Sequence, residues 1–436
     1  MQNVPRIGIV SLGCAKNLVD SERLTSALTA LGYPMRSQFE HCDVVIINTC
    51  GFIHDAMEES LEAISEALQF NAKIIVMGCL GARPEVIRKR FPKVAAVFGP
   101  GRRAAVLREI IKLVGRPPEI LRQKVRPSGI LFTPPHYAYL KIAEGCRHRC
   151  TFCIIPKLRG ELRSRYPQDI LREAADLKAR GVKELLVIAQ DSSDYGFDLK
   201  DKTTLSALCR QLAELKLWLR VHYVYPSPEA ENLVELMAEG LVLPYLDVPL
   251  QHASNSVLKR MKRPGSHEKT LKLIEKWRSI CPDIALRSTF IAGFPGETES
   301  EFEELLSFIK EARLDRVGCF PYSDVEGAEA NNLPNPVAQE VREERAQRLM
   351  ELQGQISKEK LHARIGSTCE VLIDDLDEEG NAWGRSKYEA PEVDGMVIVQ
   401  NGRGLKPGDL TTVKITDAGE HDLFAARLQD ISFKAG

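Results

Sequence analysis

Three thiols fall within eight residues at Cys146-Arg-His-Arg-Cys150-Thr-Phe-Cys153. They are too closely spaced for pairwise disulfides and well suited to wrapping a loop around one metal centre. Thiolate sulfur is a soft donor that selects iron–sulfur clusters, zinc or copper(I). Three protein ligands leave a tetrahedral metal, or a four-iron cluster, one partner short. A small molecule that fills the open position meets the metal directly, and such a position suits catalysis. Two other readings attach to the same residues: a zinc knuckle with His148 as fourth ligand, or incidental core cysteines. The second is opposed by Arg147, His148 and Arg149, which cannot all be buried.

Another triad is spread along the first eighty residues. Three apolar runs, 6–13, 43–49 and 73–78, lead into Cys14, Cys50 and Cys79. Short, near-continuous apolar runs read as buried strands of a parallel sheet. Helical patterns separate them, with Leu24, Leu28 and Leu31 on one face of 20–31 and Met57, Leu61, Ile64 and Leu68 on one face of 54–70. Alternating strands and helices predict a doubly wound α/β domain over 4–114. In such a sheet the carboxyl ends of the strands share one edge, so the three cysteines converge as a second metal site. Cys42 precedes its strand, belongs at the opposite edge and is not counted as a ligand. Ordinary buried cysteines are the competing reading.

The elements that carry Cys146, Cys150 and Cys153 follow a Pro- and Gly-rich connection, Gly115-Arg-Pro-Pro118 to Pro134-Pro135. Six β-like runs come next, at 137–142, 184–189, 219–225, 245–250, 285–292 and 316–322. Helical patterns follow them at 167–179, 204–215, 228–239, 267–280, 299–312 and 337–363. Six such units over 132–365 predict an open, partial (β/α)6 barrel, whose chemistry sits at the carboxyl ends of the strands. Polar residues gather there: Gln190 and Asp191, Tyr225 and Ser227, Asp247, Gln251 and His252, and Gly293-Phe-Pro-Gly296-Glu297, where two glycines permit close backbone approach to a ligand. Arg287 and Thr289 share the interior face of their strand, so Arg287 is available either to an anionic ligand or to Asp247.

Over 366–436, short runs separated by Asp-Glu-Glu-Gly and Asn-Gly-Arg-Gly turns predict a small antiparallel barrel with strands near 368–373, 396–399, 410–415 and 423–428. This segment holds seven Lys or Arg against fourteen Asp or Glu, a net −7, although the whole chain of 436 residues carries only −1. The remainder is therefore at +6. Eleven cysteines, no basic-then-apolar N-terminus at Met1-Gln-Asn-Val-Pro5 and no apolar run of bilayer-spanning length predict a cytoplasmic protein with reduced thiols or metal sites. No Ser–His–Asp or paired-carboxylate constellation competes for the catalytic role.

The spacing of Cys146, Cys150 and Cys153, with Phe152 before the last, resembles the signature loop of the radical S-adenosylmethionine (SAM) enzymes. Ser11-Leu-Gly-Cys14-Ala-Lys-Asn17, Asn48-Thr-Cys50-Gly-Phe-Ile and Gly78-Cys79-Leu resemble the N-terminal domain of the methylthiotransferases, and 366–436 resembles a TRAM domain. The resemblance implies two [4Fe-4S] clusters, one on each triad, with SAM chelated at the cluster of Cys146, Cys150 and Cys153. It implies reductive SAM cleavage there, hydrogen abstraction from an unactivated carbon, sulfur delivered from the Cys14, Cys50 and Cys79 side, and a methyl group from a second SAM. Phe152, Gln190, Asp247, Gln251, Arg287, Gly293 and Gly296 are the expected SAM contacts, the last two because Gly-Phe-Pro-Gly-Glu resembles the element beside the adenine.

Trp383-Gly-Arg385-Ser, Ala390-Pro-Glu-Val-Asp394-Gly, Asn17-Leu-Val-Asp20-Ser-Glu and Leu286-Arg-Ser-Thr289 resemble the branch that modifies the β-carbon of an aspartate in small-subunit ribosomal protein twelve. Charge points the same way. An RNA backbone is bound by cations, whereas an acidic barrel suits a basic protein, so the expected partner is that ribosomal protein, free or within the ribosome. RNA contact is less favoured, and an electron-donor protein is also required. The alternatives are a tRNA adenosine methylthiotransferase and a non-catalytic metal-binding module that recognises RNA or the ribosome.

Overall fold

The computed structural model describes residues 4–51 and 54–428. Met1 to Asn3, Phe52 and Ile53 of the Cys50 motif, and 429–436 of the C-terminal segment lie outside the described residues. No described helix is long and apolar enough to cross a membrane.

The first sheet has five parallel strands in the order Met35–Arg36, Ile7–Ser11, Val44–Thr49, Lys73–Gly78, Ala96–Val97. Its central strand, Val44–Thr49, is buried at every residue. Alternation sends Val44 and Ile46 to one face, against Leu24 and Leu28 of helix Ala15–Ala30, and Val45 and Ile47 to the other, against Leu61 and Ile64 of helix His54–Ala67. Each such side chain contributes about 1.5–3 kcal/mol by leaving water, which fixes the register. In that register Ser11 pairs with Asn48, and Thr49 with Gly78. The three strands therefore end level with one another.

Helix Ala15–Ala30 starts five residues before the predicted 20–31. The apolar pattern missed its first turn because Asn17 and Ser21 are polar yet wholly buried. Helices Pro84–Arg90 and Arg103–Val114 and the two-residue edge strands were not predicted.

The second sheet is six-stranded and parallel in sequential order: Tyr137–Lys141, Glu184–Ile188, Trp218–Val221, Tyr245–Asp247, Ala285–Ala292, Arg316–Pro321. The end strands do not meet, so the barrel is open, and helices 167–179, 267–280 and 299–312 fall as predicted. Two short helices, Ile155–Arg159 and Asn255–Arg260, were not anticipated. A connection over 116–136 straps the two sheets together. Its Ile130 and Phe132 N–H groups donate to Ser26 Oγ and Glu22 Oε1 of the first helix, both at 2.7 Å, while Ser128 donates to Asp176 on helix Pro167–Ala179.

The third unit is a closed barrel in the order Thr368–Leu376, Ala382–Arg385, Val397–Gln400, Leu423–Arg427, Leu410–Ala418. Its strands run antiparallel except for one parallel pair, Val397–Gln400 with Leu423–Arg427, and strand Ala382–Arg385 was not predicted. The loop that leaves Arg385 plugs the amino-terminal end of the open barrel. Glu392 accepts from Tyr137 and Tyr139, Asp394 from Tyr245 at 2.6 Å, and Glu389 pairs with Arg316.

Candidate active site

The strand register carries the first cysteine triad to one place. Cys50 and Cys79 follow directly on the paired residues Thr49 and Gly78. Gly13 brings Cys14 beside them: it has φ +82°, and a Cβ there would lie 2.8 Å from Cys50 Cβ. Only glycine accepts both that backbone and that closeness. Buried Asn17 then ties the corner together, donating to the Leu12 and Thr49 carbonyls at 2.9 and 3.0 Å, with its Oδ1 4.0 Å from Cys79 Sγ. Cys42 is held away at the other edge, its thiol donating to the Gln38 carbonyl at 3.3 Å.

The second triad sits in a hairpin loop closed by Ala143–Glu144 pairing with Arg163–Ser164. Gly145, at φ +80°, makes the turn, since a Cβ would come within 2.2 Å of the Glu161 carbonyl oxygen. The Cys146 N–H reaches the Gly160 carbonyl at 3.2 Å, and the His148 and Ile155 N–H groups point at Cys146 and Cys153 sulfur at 3.4 and 3.5 Å. N–H groups aimed at sulfur favour thiolates.

All six cysteines line a single cavity of about 470 Å³ between the two sheets, and none is in a disulfide. Its remaining walls include Phe152, Tyr223, Tyr225, Gln251 and Arg263. Tyr223 and Gln251 both hold left-handed backbone, at φ +60° and +74°, a strain that persists where surrounding structure over-determines it. Burial pushes the Cys146 thiol up to about 11 and the Cys153 thiol up to about 12. Thiolates gathered this closely need a cation to balance them, which a metal cluster supplies. Two sets of three undisulfided thiols, backbone donors aimed at sulfur, and a Gln190 Oε1 buried without a donor among the described residues fit iron–sulfur clusters and a polar ligand at this site.

Ion pairs lock the halves of the cavity. Lys141 and Arg159, both buried, reach Asp20 at 2.6 and 3.1 Å and Glu144 at 2.5 and 2.8 Å, and Arg159 also donates to Asn17 Oδ1. Part of the basic character around the cluster loop is thus spent on the junction between the sheets. His148 turns to Asp191 at 2.6 Å and stacks on Tyr225 with ring centroids 3.9 Å apart. Burial alone would lower its pKa, but Asp191 and Asp194 raise it to about 9.

Of the expected SAM contacts, Phe152, Gln190 and Gln251 line the cavity, whereas Asp247, Arg287, Gly293 and Gly296 are not among its lining residues. Asp247 and Arg287 pair with each other at 2.8 Å, level in the sheet, and Arg287 also faces Asp394 of the plug at 3.7 Å. Gln251 pairs instead at Phe290, three residues further along that strand and so about 10 Å nearer the mouth. The Gly293 N–H donates to Glu297 at 3.0 Å, and the Gly296 carbonyl accepts from Arg260 at 3.2 Å. Sequence reasoning missed Lys16, Tyr223 and Arg263. Arg263 stacks on Tyr225 at 4.0 Å and donates to the Pro249 carbonyl, from a loop that no motif marked.

Comparison with known proteins bears directly on this geometry. The radical SAM superfamily matches 140–309, the uncharacterized protein family UPF0004 matches 6–99, and the TRAM domain matches 365–427. The chain is 55% identical over 436 residues to the ribosomal protein uS12 methylthiotransferase RimO of Aeromonas hydrophila subsp. hydrophila, covering 98% of each. The chain belongs to this methylthiotransferase family. It is 54% identical to the protein of the same name in an Azoarcus species, again over 98% of each chain, and 51% identical to that of Chromobacterium violaceum, over 98% of this chain and 100% of the relative. As a family member it is a radical SAM methylthiotransferase whose cofactors are iron–sulfur clusters and SAM. Among solved structures, the radical SAM methyltransferase TsrM of Kitasatospora setae shares the fold with a TM-score of 0.54 at 16% identity, over 72% of each chain.

Proposed function

We propose that this methylthiotransferase adds a methylthio group to the β-carbon of an aspartate in small-subunit ribosomal protein uS12. In this reading 4–114, 132–365 and 366–436 are the methylthiotransferase, radical SAM and TRAM domains. Cys146, Cys150 and Cys153 hold the cluster that takes SAM; Cys14, Cys50 and Cys79 hold the cluster from whose side sulfur is delivered. The carrying observation is that six cysteines from two separate folds line one cavity. When bound, the clusters and SAM supply radical generation and the transferred groups.

The chain's own residues position and enclose. Gly13 and Gly145 let the two thiol loops close up, while Asp20, Lys141, Glu144 and Arg159 hold the domains together. Phe152, Tyr223 and Tyr225 wall the cavity with rings. Gln190, Gln251 and Arg263 are the SAM-side polar groups we favour, in place of Asp247 and Arg287, which are committed to each other. The −7 charge of 366–436 supports a basic protein partner over tRNA. The protein works in the cytoplasm, where ribosomes are, with an electron donor of unassigned identity.

Mass spectrometry of uS12 and of tRNA from a strain lacking this protein tests the reading. The uS12 aspartate should lose its methylthio group while tRNA keeps its own. A mass change in tRNA alone would overturn the substrate assignment.

A further inference from the structure

Three long-chain cations line the cavity between the two cysteine triads: Lys16, Arg159 and Arg263. One is paired with carboxylates and one is assigned above to SAM. Arg159 is neutralised by Asp20 and Glu144, and Arg263 lies on Tyr225 and donates to the Pro249 carbonyl. Lys16 has no carboxylate partner among the described residues. Its ammonium sits 3.2 Å from the centroid of the Tyr223 ring, on the wall shared by both triads. A cation resting on an aromatic face is held in place yet keeps its outward N–H donors free.

Resting on the proposed aspartate substrate, we propose that Lys16 is the specificity residue that grips the carboxylate of that aspartate. Two properties of the site carry this. On the Lys16 wall the cavity is lined by thiols and the Tyr223 ring, and its polar amides, Gln190 and Gln251, are those assigned above to SAM. An entering carboxylate must therefore find a cation or lose its hydration uncompensated. Arg159 is already paired with two carboxylates, Arg263 is the cation assigned above to SAM, and His148 is held by Asp191 and Asp194. The Lys16 helix begins at the thiol loop itself, with Cys14 preceding its first residue. A carboxylate on the Lys16 ammonium therefore puts the adjoining β-carbon between the triads, and an asparagine in its place keeps an acceptor but forfeits the ion pair. Tyr223 supports the ammonium from below, and its own backbone is fixed by a hydrogen bond of 3.0 Å from its N–H to Asp247.

The test is equilibrium binding of uS12 to the cluster-loaded enzyme, with the target residue as Asp or as Asn, for wild type, Lys16→Met and Lys16→Arg. Wild type should prefer Asp by about tenfold to a hundredfold. Lys16→Met should bring the two affinities together, and Lys16→Arg should keep most of the preference. A purely structural role for Lys16 would weaken both forms alike and leave the ratio unchanged. An Asp preference that survives Lys16→Met, or its absence from wild type, would overturn the assignment of Lys16. The underlying substrate reading fails separately, if wild type turns over uS12 without a methylthio mass gain at that aspartate.

Discussion

Gly145 and Gly13 are single residues on which a whole thiol triad depends. A methyl group at Gly145 would collide with the Glu161 carbonyl, so Gly145→Ala must open the hairpin and move Cys146. We expect that variant to lose most of the iron bound by its loop, measured per chain after anaerobic reconstitution, while the first triad keeps its share. Cys150→Ala should abolish 5′-deoxyadenosine formation, since a ligand to the SAM-binding cluster is gone; continued release of that product, followed by chromatography, would contradict the assignment. Cys14→Ala should remove methylthio product and leave SAM cleavage in place. At this scale the convergence of the six cysteines was legible, because positions at strand ends and close spacing in one loop bring thiols together. For Arg287 the sequence left two partners open, because alternation along a strand tells which face a side chain takes but not its depth; Asp247, level with it, pairs with the guanidinium.

The connecting strap lies on the helix that carries Lys16 and Asn17, held there by Ser26 and by one carboxyl. Glu22 is buried, and burial raises its pKa to about 7, against the pull of the Phe132 and Thr133 N–H groups. In the unfolded chain it titrates near 4.5. Between these values the folded state holds a proton that the unfolded state has released, so stability falls as pH climbs from about 4.5 to about 7 and is level above. Denaturant unfolding should show wild type losing up to about 3 kcal/mol over that window relative to Glu22→Gln, which has no proton to lose. Equal pH profiles would mean Glu22 ionises freely in the fold. Elements with strong local signals were readable, such as helix Glu299–Ala312 with its Thr298 and Glu301 capping box. Helix Arg103–Val114, with no side-chain cap, and the start of Ala15–Ala30, where polar residues are buried to position the site, were not.

Across the whole molecule, three units meet around one open barrel: the thiol sheet covers its mouth and the acidic barrel plugs its base. At that base Glu184 is fully buried between Arg220 and Arg385, at 2.7 and 2.5 Å, and the two guanidiniums hold its carboxyl below the usual range. Removing the shared carboxylate leaves the buried Arg220 guanidinium without a carboxylate and Arg385 with Asp374 alone. Glu184→Gln should therefore cost about 3–5 kcal/mol of stability, read from its urea midpoint. The motif from Trp383 to Gly395 was noticed in the sequence as a family mark, but its work as a plug depends on Tyr137, Tyr139 and Tyr245, more than a hundred residues away. No local pattern encodes such a contact. The central claim is that each triad holds its own four-iron cluster. Mössbauer spectroscopy with iron counting on the reconstituted protein tests it most directly: about eight irons per chain in wild type, and about four when either triad is replaced by alanines. A wild type with only four irons, or a variant lacking Cys14, Cys50 and Cys79 that keeps all eight, would contradict it.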